Sequence, residues 1–259
     1  MNTVAIRVQN VSKRYRLYDA HRPRRLKEHL GEQLRRDVRR RSEPREEEFW
    51  AVRQASFDVP RGVATAIIGR NGAGKSTLLR IMAGVTEPTS GRIELVGRVC
   101  AVLDFSAGFQ PDLTGRENIY LSAAVLGMRR AETTRAFDAI VHFAGVERFL
   151  DVQVKRYSAG MQMRLGFAVV AHLDADILLL DEVLAVGDVA FKEKSLARIQ
   201  EMVTEGRTVV FVTHEPSIVD ALAQEAVLLD RGFVRAVGPY DHVLRSYEAR
   251  LASSGAPAA

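Results

Sequence analysis

Nine consecutive residues, Gly69-Arg70-Asn71-Gly72-Ala73-Gly74-Lys75-Ser76-Thr77, have the types and spacing needed to cradle a polyphosphate. They fit G-x-x-x-x-G-K-[ST], the phosphate-binding loop. Gly69, Gly72 and Gly74 permit positive φ and a close backbone approach. Successive N–H groups, and the N-terminus of a following helix, can then face an anion. In that reading Lys75 reaches the β- and γ-phosphates and the Ser76 hydroxyl binds Mg²⁺. Asn71 and Thr77 complete the loop's ATP-contacting set. A glycine turn that binds nothing is the alternative for the loop taken alone.

A second cluster carries acids. Ile177-Leu178-Leu179-Leu180-Asp181-Glu182 is an apolar run closed by two carboxylates. Such a run suits a parallel strand buried on both faces, and the C-terminal ends of such strands are where ligands bind in open α/β sheets. Asp181 is read as holding Mg²⁺ and Glu182 as the general base that polarises an attacking water. Alone, the pair could be a solvated acidic turn. Together with the glycine loop it predicts hydrolysis of Mg-ATP.

The elements that must position these groups are legible in outline. Val63–Ile68 reads as the strand before the loop and Ser76–Met82 as the helix after it. Strands over Val4–Val8 and Ala55–Val59 flank a polar insertion at about 19–48. Pro88–Gly91 reads as a turn leading to strands over Ile93–Val96 and Val99–Leu103. A helical section spans about 113–173. It opens with a capping box at Thr114 and Glu117, and Gly145 ends a helix within it. A strand over Thr208–Val212, a helix over Pro216–Gln224, a hairpin turning at Asp230-Arg231-Gly232 and a helix over Tyr240–Leu251 follow. The small-residue tail 252–259 reads as disordered.

Composition bounds the class. With 259 residues, 47% hydrophobic and 27% charged, the chain can bury a proper core and looks soluble and globular. No stretch reaches the roughly 18 uninterrupted apolar residues of a membrane span, and the N-terminal residues do not resemble a signal peptide. The single cysteine, Cys100, cannot form an internal disulfide, which fits a reducing compartment. A net charge of +5 and a pI near 9.5 suit anionic surroundings: nucleic acid, lipid or an acidic substrate.

Between the two clusters lies Tyr157-Ser158-Ala159-Gly160-Met161-Gln162. Here the chain resembles the nucleotide-binding subunits of ABC transporters, whose signature usually reads Leu-Ser-Gly-Gly-Gln. The resemblance implies an α/β fold: a P-loop NTPase nucleotide-binding domain over about 1–251, with a β-subdomain and an inserted helical subdomain. It also implies a head-to-tail homodimer with two ATP molecules in its interface, where Ser158 and Gly160 face the γ-phosphate held by the opposite subunit. Tyr15 matches the aromatic that stacks on adenine; read alone, it is an ordinary strand aromatic. Asp188 matches the acid that follows the acidic strand. His214 matches the switch histidine, which would contact the γ-phosphate and hold the attacking water. The family's strand-end glutamine is replaced: Cys100–Phe105 presents Asp104, which takes the glutamine's place near the metal's water shell.

Gly108–Ile119 and Asp181–Asp188 further resemble the ATPase subunits of bacterial exporters of O-antigen, teichoic acid, capsule and related lipid-linked glycans. The likeness implies a peripheral subunit on the cytoplasmic face of the inner membrane, coupled to a separate multi-span permease that carries the glycan. Some such ATPases bear a C-terminal carbohydrate-binding domain, for which this sequence leaves no room. Another cargo is an alternative. A soluble ABC ATPase working on nucleic acid or ribosomes is the rival from a different class. Such proteins carry paired cassettes or long coiled coils, neither of which is seen, so nucleic acid is not an expected partner.

The insertion is rich in Arg and Lys. Leu26, Leu30, Leu34 and Val38 form a narrow apolar stripe beside Arg35, Arg36, Arg39, Arg40 and Arg41. It reads either as a membrane-facing helix meeting lipid headgroups or the substrate's diphosphate, or as a solvated helix packed on its own domain. Phe49 and Trp50, which follow, are read as core anchors.

Overall fold

The computed structural model describes residues 3–17, 47–103, 108–182 and 187–253. Asp104, the bulk of the basic insertion, Ala185 and Val186, and the tail beyond 253 lie outside the described residues.

Among the described residues two sheets frame the molecule. The first is antiparallel, with β1 (Val4–Leu17) between β2 (Glu47–Pro60) and β4 (Ser90–Leu95). The second has the order β5 (Val99–Val102), β6 (Ile177–Asp181), β7 (Thr208–Val212), β3 (Ala64–Ile68), β8 (Glu225–Asp230), β9 (Phe233–Pro239). Its pairings are parallel except for the β8–β9 hairpin. Every residue of β6 and β7 is buried, which is why both read as unbroken apolar runs.

The side-chain alternation of β6 divides the core. Ile177 and Leu179 pack with α1 (Lys75–Met82) and the antiparallel sheet. Leu178 and Leu180 pack with the helices of the other face. Those helices are α2 (Gly115–Val125), α3 (Arg130–Ala144), α4 (Ala159–Ala171), α5 (Val189–Thr204), α6 (Pro216–Leu222) and α7 (Tyr240–Ser253). Helix α1 is thus held between the two sheets through Leu78, Leu79, Ile81 and Met82, which fixes where its N-terminus lies.

Local signals are realised atom by atom. Thr114 Oγ1 accepts from the Glu117 amide at 3.2 Å, and the Glu117 carboxylate accepts from the Thr114 amide at 2.8 Å. Gly145 ends α3 at φ 65°, the left-handed conformation that favours glycine. Strands β1 and β2 run further than expected, pairing out to Leu17 and Glu47. Cross-strand contacts carry them past the core: Arg14 pairs with Glu48 at 2.7 Å and covers the Trp50 ring at 5.5 Å.

Candidate active site

Strand order assembles the site. β6, β7 and β3 are neighbours, so their C-terminal ends lie side by side. One end carries Asp181 and Glu182, the next leads into Thr213 and His214, and the third leads into the glycine loop.

The loop needs its glycines for two different reasons. Gly69 has φ 148° and Gly74 has φ 105°; a Cβ would lie 2.1 Å from the Leu229 carbonyl oxygen at the first and 2.2 Å from that of Ala51 at the second. Gly72, at φ 76°, faces open space and needs only the conformation. Helix α1 starts directly after Gly74 with no side-chain cap, which leaves first-turn N–H groups for a ligand.

Lys75 is only 6% exposed and donates from Nζ to the carbonyls of Gly69 at 2.9 Å and Arg70 at 3.2 Å. Burial lowers its pKa, and the charges of Glu182 and Asp181 push it back up. Asp181 is 7% exposed, and Ser76 Oγ lies 3.1 Å from its Oδ1. Burial raises this carboxyl's pKa; the Ser76 hydrogen bond opposes that, and the neighbouring Glu182 charge adds to it.

Glu182 leaves its strand at φ 55°, a left-handed conformation that costs a non-glycine residue on the order of 1–3 kcal/mol. Its amide donates to the Val212 carbonyl at 2.9 Å, which fixes the turn. Its Oε1 lies 2.7 Å from His214 Nε2. Both residues line a cavity of about 290 Å³ together with Asn71, Lys75, Ser76 and Phe49.

The other sequence-derived residues are placed differently. Ser158 caps α4, its Oγ accepting from the Met161 amide at 3.2 Å, and Gly160 lies in that helix's first turn. Asp188 caps α5 by accepting from the Phe191 amide at 2.9 Å. Neither cap lines the cavity, and nor does Tyr15. The Lys13 ammonium sits 5.2 Å from the Tyr15 ring centre.

Phe49 corrects an expectation. It is no core anchor: it is 47% exposed and forms part of the cavity wall. Neighbouring residues of a strand face opposite sides, so Phe49 and Trp50 cannot both point into one core. That alternation was the available signal. The left-handed turn at Glu182 had none.

Comparisons with known proteins identify the family. The family described as ABC transporter matches residues 52–185. The O-antigen export system ATP-binding protein RfbB of Myxococcus xanthus is 45% identical over 209 residues, covering 81% of this chain and 48% of that protein. The chain thus spans about half the length of the Myxococcus relative. The RfbB protein of Klebsiella pneumoniae is 42% identical over 204 residues, covering 79% of this chain and 83% of its own length. A dimeric ATP-binding cassette solved in a post-hydrolysis state with ADP and Pi superposes with a TM-score of 0.69 at 21% identity, over 90% of this chain and 98% of that one. That last likeness concerns the fold. On the family match and the long, close relatives, the chain belongs to the ABC transporter family, and its relatives are ATP-binding proteins of polysaccharide exporters, named for O-antigen and teichoic acid export.

Proposed function

We propose that this chain is the ATP-hydrolysing subunit of an exporter that moves a lipid-linked polysaccharide across the cytoplasmic membrane. The hydrolysis reading is carried by the Glu182–His214 contact at the wall of the phosphate-loop cavity. The cargo reading rests on relatives at 42–45% identity that are named for O-antigen export.

In this reading the loop amides and Lys75 hold the β- and γ-phosphates. Glu182 Oε1 accepts a hydrogen bond from the attacking water and acts as its general base. His214 fixes the Glu182 carboxylate on one side and contacts the γ-phosphate on the other. Ser76 Oγ and Asp181 Oδ1 are hard oxygen donors close enough to share one small cation, and a buried carboxylate whose charge is otherwise poorly compensated suits that role. Mg²⁺ bound there supplies charge neutralisation of the phosphate oxygens.

Ser158 and Gly160 stand away from this chain's own cavity at the start of α4, which suits residues that serve a second copy's nucleotide. The working unit is then a homodimer beneath a separate permease, attached peripherally at the inner membrane face. Among the described residues no helix is long and apolar enough to cross a membrane. Asp104 is kept as the residue at the place of the family's glutamine.

Two experiments test this. Purified protein should hydrolyse ATP only with Mg²⁺, and a Glu182→Gln variant should bind ATP without turning it over. A mild-detergent pull-down from native cells should recover a multi-span membrane protein. Recovery of ribosomes or nucleic acid without one would refute the export reading and leave the ATPase standing.

A further inference from the structure

His214 must be held as well as placed. Its side chain and that of Glu182 are each about half exposed, so no surrounding core clamps them. The backbone that carries His214 is short: Thr213-His214-Glu215 joins the end of β7 to the start of α6. Whatever fixes that turn fixes where the imidazole meets Glu182 Oε1.

Glu215 is the pivot of the turn. Its amide donates to Thr213 Oγ1 at 3.1 Å, and its carbonyl accepts from the Ile218 amide at 3.1 Å. Pro216, at the start of α6, restricts the backbone on the other side. The Glu215 side chain makes no capping bond to α6. Its carboxylate reaches across instead to the Lys192 ammonium, which donates a hydrogen bond and completes an ion pair. Lys192 stands in the first turn of α5, where its amide donates to the Asp188 carbonyl at 2.9 Å. The segment that leaves β6 at Glu182 enters α5 there. The pair thus ties together the two connections that carry Glu182 and His214.

A partly exposed ion pair contributes little to stability. Neither Lys192 nor Glu215 lines the phosphate-loop cavity, so neither reaches the nucleotide. We infer that the Lys192–Glu215 pair is a positioning element for hydrolysis, setting His214 against Glu182 from outside the cavity. This rests on the hydrolysis reading and deepens it.

The test is steady-state kinetics of the full chain with Mg-ATP, alongside thermal melts. Lys192→Met keeps the stem and removes the charge; Glu215→Gln keeps the shape and removes the charge. Each should lower kcat about tenfold, the kind of loss that follows when a reacting group is slightly misplaced, with KM for ATP and Tm near native. The swapped double variant, Lys192→Glu with Glu215→Lys, should recover most of the native kcat. In a His214→Ala background Lys192→Met should cost nothing further, because the pair acts through that residue. Gln200→Ala is the control. Gln200 Nε2 donates to the Ala221 carbonyl at 3.0 Å, a second tie between α5 and α6 away from the histidine, and its loss should leave kcat native.

Native kcat in both neutral variants would overturn the inference. So would an equal loss in Gln200→Ala, which would reduce the pair to helix packing. A swapped variant no better than the single ones, or a full tenfold loss on top of His214→Ala, would do the same. A native chain that turns over no Mg-ATP would remove the hydrolysis reading itself, and the positioning role with it.

Discussion

Glu182 Oε1 and His214 Nε2 meet at 2.7 Å, each at the end of its own strand in a neighbouring parallel pair. Contact between the two is a property of strand order: β6 and β7 lie side by side, and each releases its functional residue at the same end.

Residues that act as a unit give non-additive losses. Glu182→Gln and His214→Ala should each lower kcat by about 10²–10⁴-fold, the range of a positioned acid–base group, with ATP affinity close to native. The double variant should be little worse than the poorer single one. Steady-state ATPase kinetics with separate nucleotide-binding measurements will show this; fully additive losses would mean that the two residues work independently.

The glycines of the phosphate loop should separate into two classes. Gly74→Ala forces a Cβ to 2.2 Å from the Ala51 carbonyl oxygen, so the loop must move and nucleotide binding should be lost. Gly72→Ala meets no atom within 4 Å and pays only for left-handed backbone, about 1–2 kcal/mol. Denaturant unfolding and nucleotide titration of the two variants check the contrast.

Ser158 and Thr114 both cap helices, which allows a matched comparison. Removing either hydroxyl should cost about 1 kcal/mol of stability. Only Ser158→Ala should also depress the ATPase, because only Ser158 is assigned to a nucleotide. Equal activity in the two variants would leave Ser158 as a cap and nothing more.

Asp181 makes a prediction about pH and stability. Burial raises its pKa above the ordinary carboxylate value, so the folded chain binds its proton more tightly than the unfolded chain. Its contribution to stability is therefore greatest below the unfolded pKa and falls as pH rises through the folded one. At neutral pH the buried charge is a net cost. Asp181→Asn, whose amide oxygen can still accept from Ser76, should raise the Tm of the nucleotide-free protein while abolishing Mg²⁺-dependent turnover. Each 1 kcal/mol gained corresponds to about 2–4 °C in a protein of this size. Thermal melts without nucleotide, at acidic and neutral pH, measure it; a lowered Tm at pH 7 would contradict the sign.

What could be read from the chain follows from where its information is local. β6 and β7 were legible because burial on both faces leaves an unbroken apolar run. The caps at Thr114 and Gly145 were legible because a cap is decided within a few residues. The reach of β1 and β2 was not, since Arg14, Glu48 and Trp50 carry it only once the strands pair. The exposure of one of Phe49 and Trp50 was legible from strand alternation, but which of the two faces out is decided only by the pairing. Nor could Glu182 announce its left-handed turn, which is held by a hydrogen bond to Val212 from another strand. The loop and the acids named the chemistry; the meeting of Ser76 with Asp181 depended on a strand order that no local pattern spells out.

The position of β3 bears on how the chain is made. Both strands that flank it, β7 and β8, come from the last third of the sequence. During synthesis the phosphate loop and its strand leave the ribosome long before either partner exists. Two edges of an apolar strand are then unpaired, and pairing is slow because it closes a very long loop. The strand that carries the phosphate loop is therefore completed only by strands from the far end of the chain.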